Sequence, residues 1–196
     1  MKKFCLLLVI SILLIVTLCA CDLITNVTVS DMEKFNTLID VDYDGWTLSV
    51  STTTGDVTLN NKFVVTKETE KTTIDYTLEK LNEISIDGNN EFKTTIRGSV
   101  TVVDGKIVSI DGEEANLDVE QLDEVSMEFK LNYFKNISLN STTLSADVTN
   151  PSGFLGYEID CQDMKLLAKY SDDFDYIKIN YTNTDGSSVE IKYEFN

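Results

Sequence analysis

The chain contains no histidine, one proline and one tryptophan among its 196 residues. Because histidine is the usual general base and the commonest zinc ligand, its absence excludes Ser-His and Cys-His nucleophile pairs and argues against a zinc site. Basic residues are also scarce: 16 lysines and arginines stand against 33 aspartates and glutamates, and Arg97 is the single arginine. A formal charge of −17 repels phosphate backbones, so we expect no nucleic-acid partner. The expected charged partners are basic proteins or cations.

Cysteine is rare after the first 21 residues. Cys5, Cys19 and Cys21 lie in the N-terminal segment, which leaves Cys161 as the only thiol of the remaining chain. A lone cysteine forms neither an internal disulfide nor a thiolate zinc cluster. Without basic neighbours it is typical of a small buried hydrophobe, which is the expectation for Cys161, with pairing between chains or a redox role as the alternatives.

The first 21 residues have the three parts of an export signal. Lys2 and Lys3 precede an uncharged run over residues 4–20, and small residues lead to a cysteine. The last four residues are Leu18, Cys19, Ala20 and Cys21. They resemble the lipobox of bacterial lipoprotein precursors, which implies cleavage between Ala20 and Cys21 and a diacylglycerol or triacyl lipid on the Cys21 sulfur. The alternative is an uncleaved membrane helix, because the run is at the lower limit of about 17 residues for a bilayer span.

The lipobox resemblance implies three segments. Residues 1–20 would be a lipoprotein signal peptide, residues 21–29 a lipidated tether, and residues 30–196 a single β-rich domain. Each buried methylene contributes about 0.8 kcal/mol, so two acyl chains such as palmitate hold a protein in a bilayer. We therefore expect the protein to be exported and anchored by its lipid to the outer face of the bacterial cell membrane or an envelope membrane.

One short helix is predicted near the start of the domain. Ser30 and Glu33 have the spacing of a capping box, which predicts a helix over residues 31–39. The apolar residues that recur on one face of this helix are Met32, Phe35, Leu38 and Ile39. Residues 113–124 are acidic and poorly periodic, and we interpret them as a loop or a single helical turn.

From residue 46 the apolar residues recur at every second position, which is the pattern of strands with one buried face. The clearest alternating face is formed by Val189, Ile191, Tyr193 and Phe195. Strands are predicted at residues 46–51, 57–59, 63–66, 74–78, 92–96, 99–103, 106–110, 127–133, 144–148, 164–170, 176–181 and 187–195. Turns or breaks are predicted at residues 54–56, 87–88, 104–105, 111–112, 135–136, 151–153 and 185–186, and Gly98 is predicted to separate two strands.

These elements predict a mainly β fold: a curved antiparallel sheet, half-barrel or sandwich-like, with one short N-terminal helix. Even nine strands of this kind present roughly 900 Å² of apolar face, whereas a nine-residue helix covers about 140 Å². Either the sheet curls or splits into a sandwich, or part of its face stays open for an apolar ligand. The curled layout resembles LolA-type lipid-handling proteins of bacterial envelopes, and that resemblance implies a sheet that encloses acyl chains.

Three aspartates suggest the hypothesis of a calcium site. Asp40, Asp42 and Asp44 precede Gly45 in the pattern that opens a calcium loop. The twelfth position holds Ser51 where the pattern requires a bidentate glutamate, and a strand follows where a helix is required. The alternative is a solvated helix-to-strand turn, so Asp40, Asp42 and Asp44 are only weak calcium candidates and no metal site is predicted.

The sequence therefore predicts a lipid-anchored protein without catalytic activity that acts as a binding or structural module. The second hypothesis is a carrier that holds a lipid or other apolar molecule in a curved sheet. The third is a carboxylate-based hydrolase, for which the cluster Asp172, Asp173 and Asp175 is the weak candidate and a solvated turn the simpler interpretation. No cofactor is predicted besides the lipid on Cys21.

Overall fold

The computed structural model describes residues 27–81, 93–113, 115, 117 and 119–196, without the side chains of residues 120 and 121. The predicted lipidation site at Cys21, the cleavage site after Ala20 and the predicted turn at residues 87–88 lie outside the described residues. Among the described residues, no helix combines the length and the apolarity needed to cross a membrane.

In the part of the chain that the structure describes, ten antiparallel strands form one sheet, so the prediction of a mainly β fold is confirmed. In chain order the elements are α1 (Val29–Ile39), β1 (Gly45–Thr54), β2 (Val57–Glu68), β3 (Lys71–Leu81), β4 (Lys93–Val103), β5 (Lys106–Gly112), α2 (Val119–Asp123), a 3₁₀ turn (Leu131–Tyr133), β6 (Phe134–Leu139), β7 (Thr143–Val148), α3 (Pro151–Leu155), β8 (Cys161–Tyr170), β9 (Phe174–Asn183) and β10 (Ser188–Phe195).

The sheet consists of two meanders that meet in its middle. Its strand order is β5-β4-β3-β2-β1-β10-β9-β8-β7-β6, with β5 and β6 at open edges. The first and last strands join the two halves, and Trp46 of β1 lies opposite Phe195 of β10. Side chains as far apart in the sheet as Val100 of β4 and Leu166 of β8 belong to one hydrophobic cluster. This shared core fits the predicted curved sheet.

Helix α1 has a different N-terminus from the predicted one. Thr28 is the N-cap: its hydroxyl accepts the Asp31 N–H at 3.3 Å, and its own N–H donates to the Asp31 carboxylate at 2.7 Å. The predicted capping box of Ser30 and Glu33 is wrong, because Ser30 already lies inside the helix. The predicted apolar face is confirmed, since its four residues are all buried.

The segment predicted as a strand at residues 127–133 lies outside the sheet. Met127 and Phe129 are buried, so the alternation is real, but the segment crosses the concave face as irregular chain and ends in the 3₁₀ turn. The Glu128 N–H donates to the Phe154 carbonyl at 2.8 Å. Alternation alone predicted burial correctly and strand pairing wrongly.

Three predicted breaks also differ from the structure. Gly98 lies inside the continuous strand β4, opposite Tyr76. Asn136, with a φ of 51°, is part of an irregularity within β6 rather than a turn between strands. Pro151 begins helix α3 after the N-cap Asn150, whose side chain accepts the Gly153 N–H. Proline suits the first turn of a helix, where its missing N–H has no partner to lose.

Helix α1 packs on the half of the sheet that holds β8 and β9. The ring centroid of Phe35 lies 5.6 Å from that of Phe129, 5.0 Å from that of Tyr170 and 6.1 Å from that of Phe174. These rings form a dense aromatic cluster, and Phe35 is 1% exposed. The helix therefore covers only part of the concave face.

Candidate ligand-binding cleft

The uncovered part of the concave face forms a cleft of about 610 Å³. Its floor consists of side chains from the four central strands β1, β2, β3 and β10. They are Leu48, Val50, Asn61, Phe63, Leu78, Ile191 and Tyr193. These residues are neighbours in the ladder: Leu48 lies opposite both Phe63 and Tyr193, and Val50 opposite both Asn61 and Ile191. The floor is continuous because alternate residues of adjacent strands face the same side.

Two chain segments form the opposite wall. The first includes Leu117, Leu122, Glu124 and Ser126 at and around α2, and the second includes Leu155, Gly156 and Tyr157 at the end of α3. Gly156 ends α3 with a φ of 76°, a conformation that favours glycine and that turns the chain toward Tyr157. A side chain at Gly156 would meet the Ser126 hydroxyl at 3.3 Å, so the two segments touch there.

Most of the lining is apolar, with a few polar groups on the wall. The described lining residues contain no lysine or arginine, and Glu124 is their one formal charge. Glu124 and Ser126 are exposed, and Tyr157 is 42% exposed. An apolar body with a few convergent polar groups and a volume between about 300 and 1,000 Å³ is typical of small-molecule sites.

The tyrosines of this region resist ionisation. Burial raises the pKa of Tyr193 well above its usual value, with a further contribution from Tyr157. Burial also raises the pKa of Tyr157 and raises the pKa of Tyr181 to about 12. The hydroxyls of Tyr157 and Tyr193 have no hydrogen-bond partner among the described residues. Both are therefore neutral donors at neutral pH and are available to a ligand.

The weak calcium candidates are not brought together. They are Asp40, Asp42 and Asp44, and all three are exposed. No group of three or more acidic, cysteine or histidine residues that could hold a metal occurs in the part of the chain that the structure describes. Tyr43 organises this loop instead: its hydroxyl donates to the Leu38 carbonyl at 3.0 Å and accepts the Phe174 N–H at 3.1 Å.

The other predicted clusters are placed outside the cleft. Asp172 and Asp173 lie in the turn between β8 and β9, and Asp175 forms an ion pair with Lys169 at 3.1 Å. Cys161 packs against the core but is only partly buried, so full burial of this thiol is not observed. Burial, followed by the charge of Asp160, raises the pKa of the Cys161 thiol.

The sequence left an open apolar face as one of two alternatives, and it did not indicate which residues would line the wall of the cleft. Tyr157 and Glu124 carry no local motif, and they reach the cleft only through the turn after α3 and the chain after α2. The signals available for the floor were the alternation of Leu48 and Val50 in β1 and that of Ile191 and Tyr193 in β10.

Comparisons with known proteins add little. No family model matches the chain, and no curated protein matches it. A solved structure similar to part of it is the dehydratase domain from the CurF module of Curacin polyketide synthase, at 9% identity, with 85% of this chain and 81% of that chain covered and a TM-score of 0.17. A TM-score of 0.17 is too low to indicate a shared fold.

Proposed function

We propose that this protein is a non-catalytic binding module that holds an apolar molecule in the cleft, with the curved sheet acting as a half-barrel around it. The observation that carries the proposal is the uncovered floor formed by β1, β2, β3 and β10. Val50, Phe63 and Leu78 of this floor remain partly exposed although they pack against the core. An apolar ligand would cover these side chains and remove them from water. Each Å² of apolar surface removed from water contributes about 25 cal/mol.

The chemistry of the lining favours binding over catalysis. A carboxylate-based hydrolase uses two carboxyl groups on opposite sides of the scissile bond. Glu124 is the one carboxylate among the described residues of the cleft, and the chain has no histidine to act as a base. The lining suits retention of a molecule rather than its conversion.

The proposed location brings the cleft close to lipid. With a lipid on Cys21, the chain reaches α1 at Val29 after eight residues, which span at most about 27 Å when fully extended. The apolar molecule would then be taken from, or passed to, the membrane that holds the protein.

The test uses the chain from residue 22 onward, which contains every described helix and strand. Native mass spectrometry after production in bacteria without detergent should detect an apolar adduct, and N-phenyl-1-naphthylamine should bind with enhanced fluorescence. Val50→Phe should occupy part of the cleft over its floor and weaken the binding of the dye. Val64→Phe is the matched control on the same sheet, because Val64 lies opposite Thr47 and Asp75, outside the cleft. Equal dye binding by both variants and the absence of any adduct would refute the proposal.

A further inference from the structure

We infer that the ligand is a cationic amphiphile, a single apolar chain that ends in an ammonium group; the inference rests on the proposed function. It follows from the distribution of charge around the cleft. The floor is apolar apart from Asn61 and the Tyr193 hydroxyl, whereas the wall carries Glu124, Ser126 and Tyr157. A bound molecule would therefore place its apolar chain on the sheet and its polar end at the wall.

Both segments that build the wall are acidic. Residues 113–129 contain seven aspartates and glutamates and no lysine or arginine, and residues 155–164 contain three and none. The segments meet where Gly156 approaches Ser126, and both contribute residues to the wall of the cleft. Among the described lining residues the only formal charge, on Glu124, is also negative. The local potential thus has the same sign as the net charge of −17.

This potential discriminates between head groups. A carboxylate or phosphate placed at the wall would lose hydration, find no cation in the lining and be repelled by Glu124. An ammonium group would be attracted by the Glu124 carboxylate and by the negative faces of the Tyr157 and Tyr193 rings. The unpartnered tyrosine hydroxyls would complete its hydrogen bonds as acceptors.

The test compares three probes with the same apolar chain: decylamine, decanol and decanoate. Each is titrated by displacement of N-phenyl-1-naphthylamine from the chain that begins at residue 22, at neutral pH and low salt. Decylamine should bind about five- to tenfold more tightly than decanol, and decanoate should bind most weakly.

Two variants test whether Glu124 causes the preference for decylamine over decanol. Glu124→Gln should bring the affinity for decylamine to within about twofold of that for decanol and leave the affinity for decanol unchanged. Glu70→Gln, in the exposed turn between β2 and β3, is the control and should change neither affinity. Equal displacement by all three probes would overturn the ammonium assignment and retain the proposed function. Dye binding that no probe competes for, or that is absent altogether, would refute both.

Discussion

The side-chain amide of Asn36 binds both backbone groups of Phe129. The Phe129 N–H donates to Asn36 Oδ1 at 2.7 Å, and Asn36 Nδ2 donates to the Phe129 carbonyl at 3.2 Å. A side chain of α1 thus supplies the hydrogen bonds that a neighbouring strand would otherwise make, which allows residues 124–130 to cross the concave face outside the sheet.

Replacement of Asn36 should therefore be costly. Asn36→Leu keeps the size of the side chain but leaves two part-buried backbone groups of Phe129 without partners, so the free energy of unfolding should fall by about 1–3 kcal/mol. Urea denaturation measures the loss. Thr37→Ala, at an exposed position of the same helix, should change the free energy of unfolding by no more than about 0.5 kcal/mol. An equal loss in both variants would contradict the role given to Asn36.

The glycine at position 98 makes room for a tyrosine on the next strand. Tyr76 lies opposite Gly98 and donates its hydroxyl to the Glu113 carbonyl. A side chain at Gly98 would meet the Tyr76 ring and would lie 2.8 Å from the Asp111 carbonyl oxygen. Gly98→Ala should destabilise the protein by about 1–3 kcal/mol through overpacking.

A double-mutant cycle in urea tests the cause of that loss. With Tyr76→Leu already present, part of the cost of Gly98→Ala should disappear, because the ring is gone and only the approach to the Asp111 carbonyl oxygen remains. Ser99→Ala at the adjacent position serves as the control. Strict additivity of Gly98→Ala and Tyr76→Leu would show that Gly98 is needed for another reason.

Stability should fall in alkaline solution because of the buried tyrosines. Burial raises the pKa of Tyr181 from 10.0 to about 12, so the folded protein retains the phenol proton to higher pH than the unfolded chain does. This contribution to stability is complete below about pH 10 and is lost as the pH rises toward 12, with a slope of about 1.4 kcal/mol per pH unit for one tyrosine. Tyr193 adds to the loss in the same direction.

Urea denaturation between pH 9 and pH 11 measures this slope. Tyr181→Phe should make the fall in the free energy of unfolding less steep above pH 10, with the free energy at pH 7 as the reference. An unchanged slope in both Tyr181→Phe and Tyr193→Phe would contradict the assignment.

The predicted lipid site can be tested in the producing cell. The protein should fractionate with membranes, and mass spectrometry should find a diacylglyceryl group on Cys21. Cys21→Ser should remove the lipid and leave the leader uncleaved, whereas Cys19→Ser should leave lipidation unchanged. If the lipid were lost in Cys19→Ser and kept in Cys21→Ser, the lipidated residue would be Cys19 and cleavage would occur before it. Wild-type protein in the medium with an unmodified Cys21 would refute the proposed location.

The alternation of apolar residues predicted most of the strands correctly. Leu48 and Ile191 lie on the buried face of the central strands, as their spacing indicates. Helix α1 was predicted from the spacing of its apolar residues, with its start misplaced because Ser30 and Thr28 each offer a capping side chain three residues before an acidic one. Strands and helix α1 could be predicted in this way because the spacing of apolar residues depends only on residues that are close in the sequence.

Features that depend on distant partners were not predictable. Residues 127–133 alternate as strands do, and their hydrogen bonds to Asn36 and to the Phe154 carbonyl explain why they stay outside the sheet. Gly98 resembles a strand break until Tyr76 is seen opposite it. The cleft could be anticipated as an excess of apolar area, but Glu124 and Tyr157 are placed there by chain segments without a local motif.

The sheet cannot be completed until β1 pairs with β10, because this pairing joins its two halves. Strand β10 is the last described strand to leave the ribosome, and without it the five-strand meander β1–β5 and the four-strand meander β6–β9 have no common ladder. A nascent chain therefore exposes unpaired backbone in the future middle of the sheet until synthesis has passed Phe195. A product truncated before Ser188 would lack β10 and keep this central edge of the sheet unpaired, and an unpaired strand edge is a template for pairing with another chain.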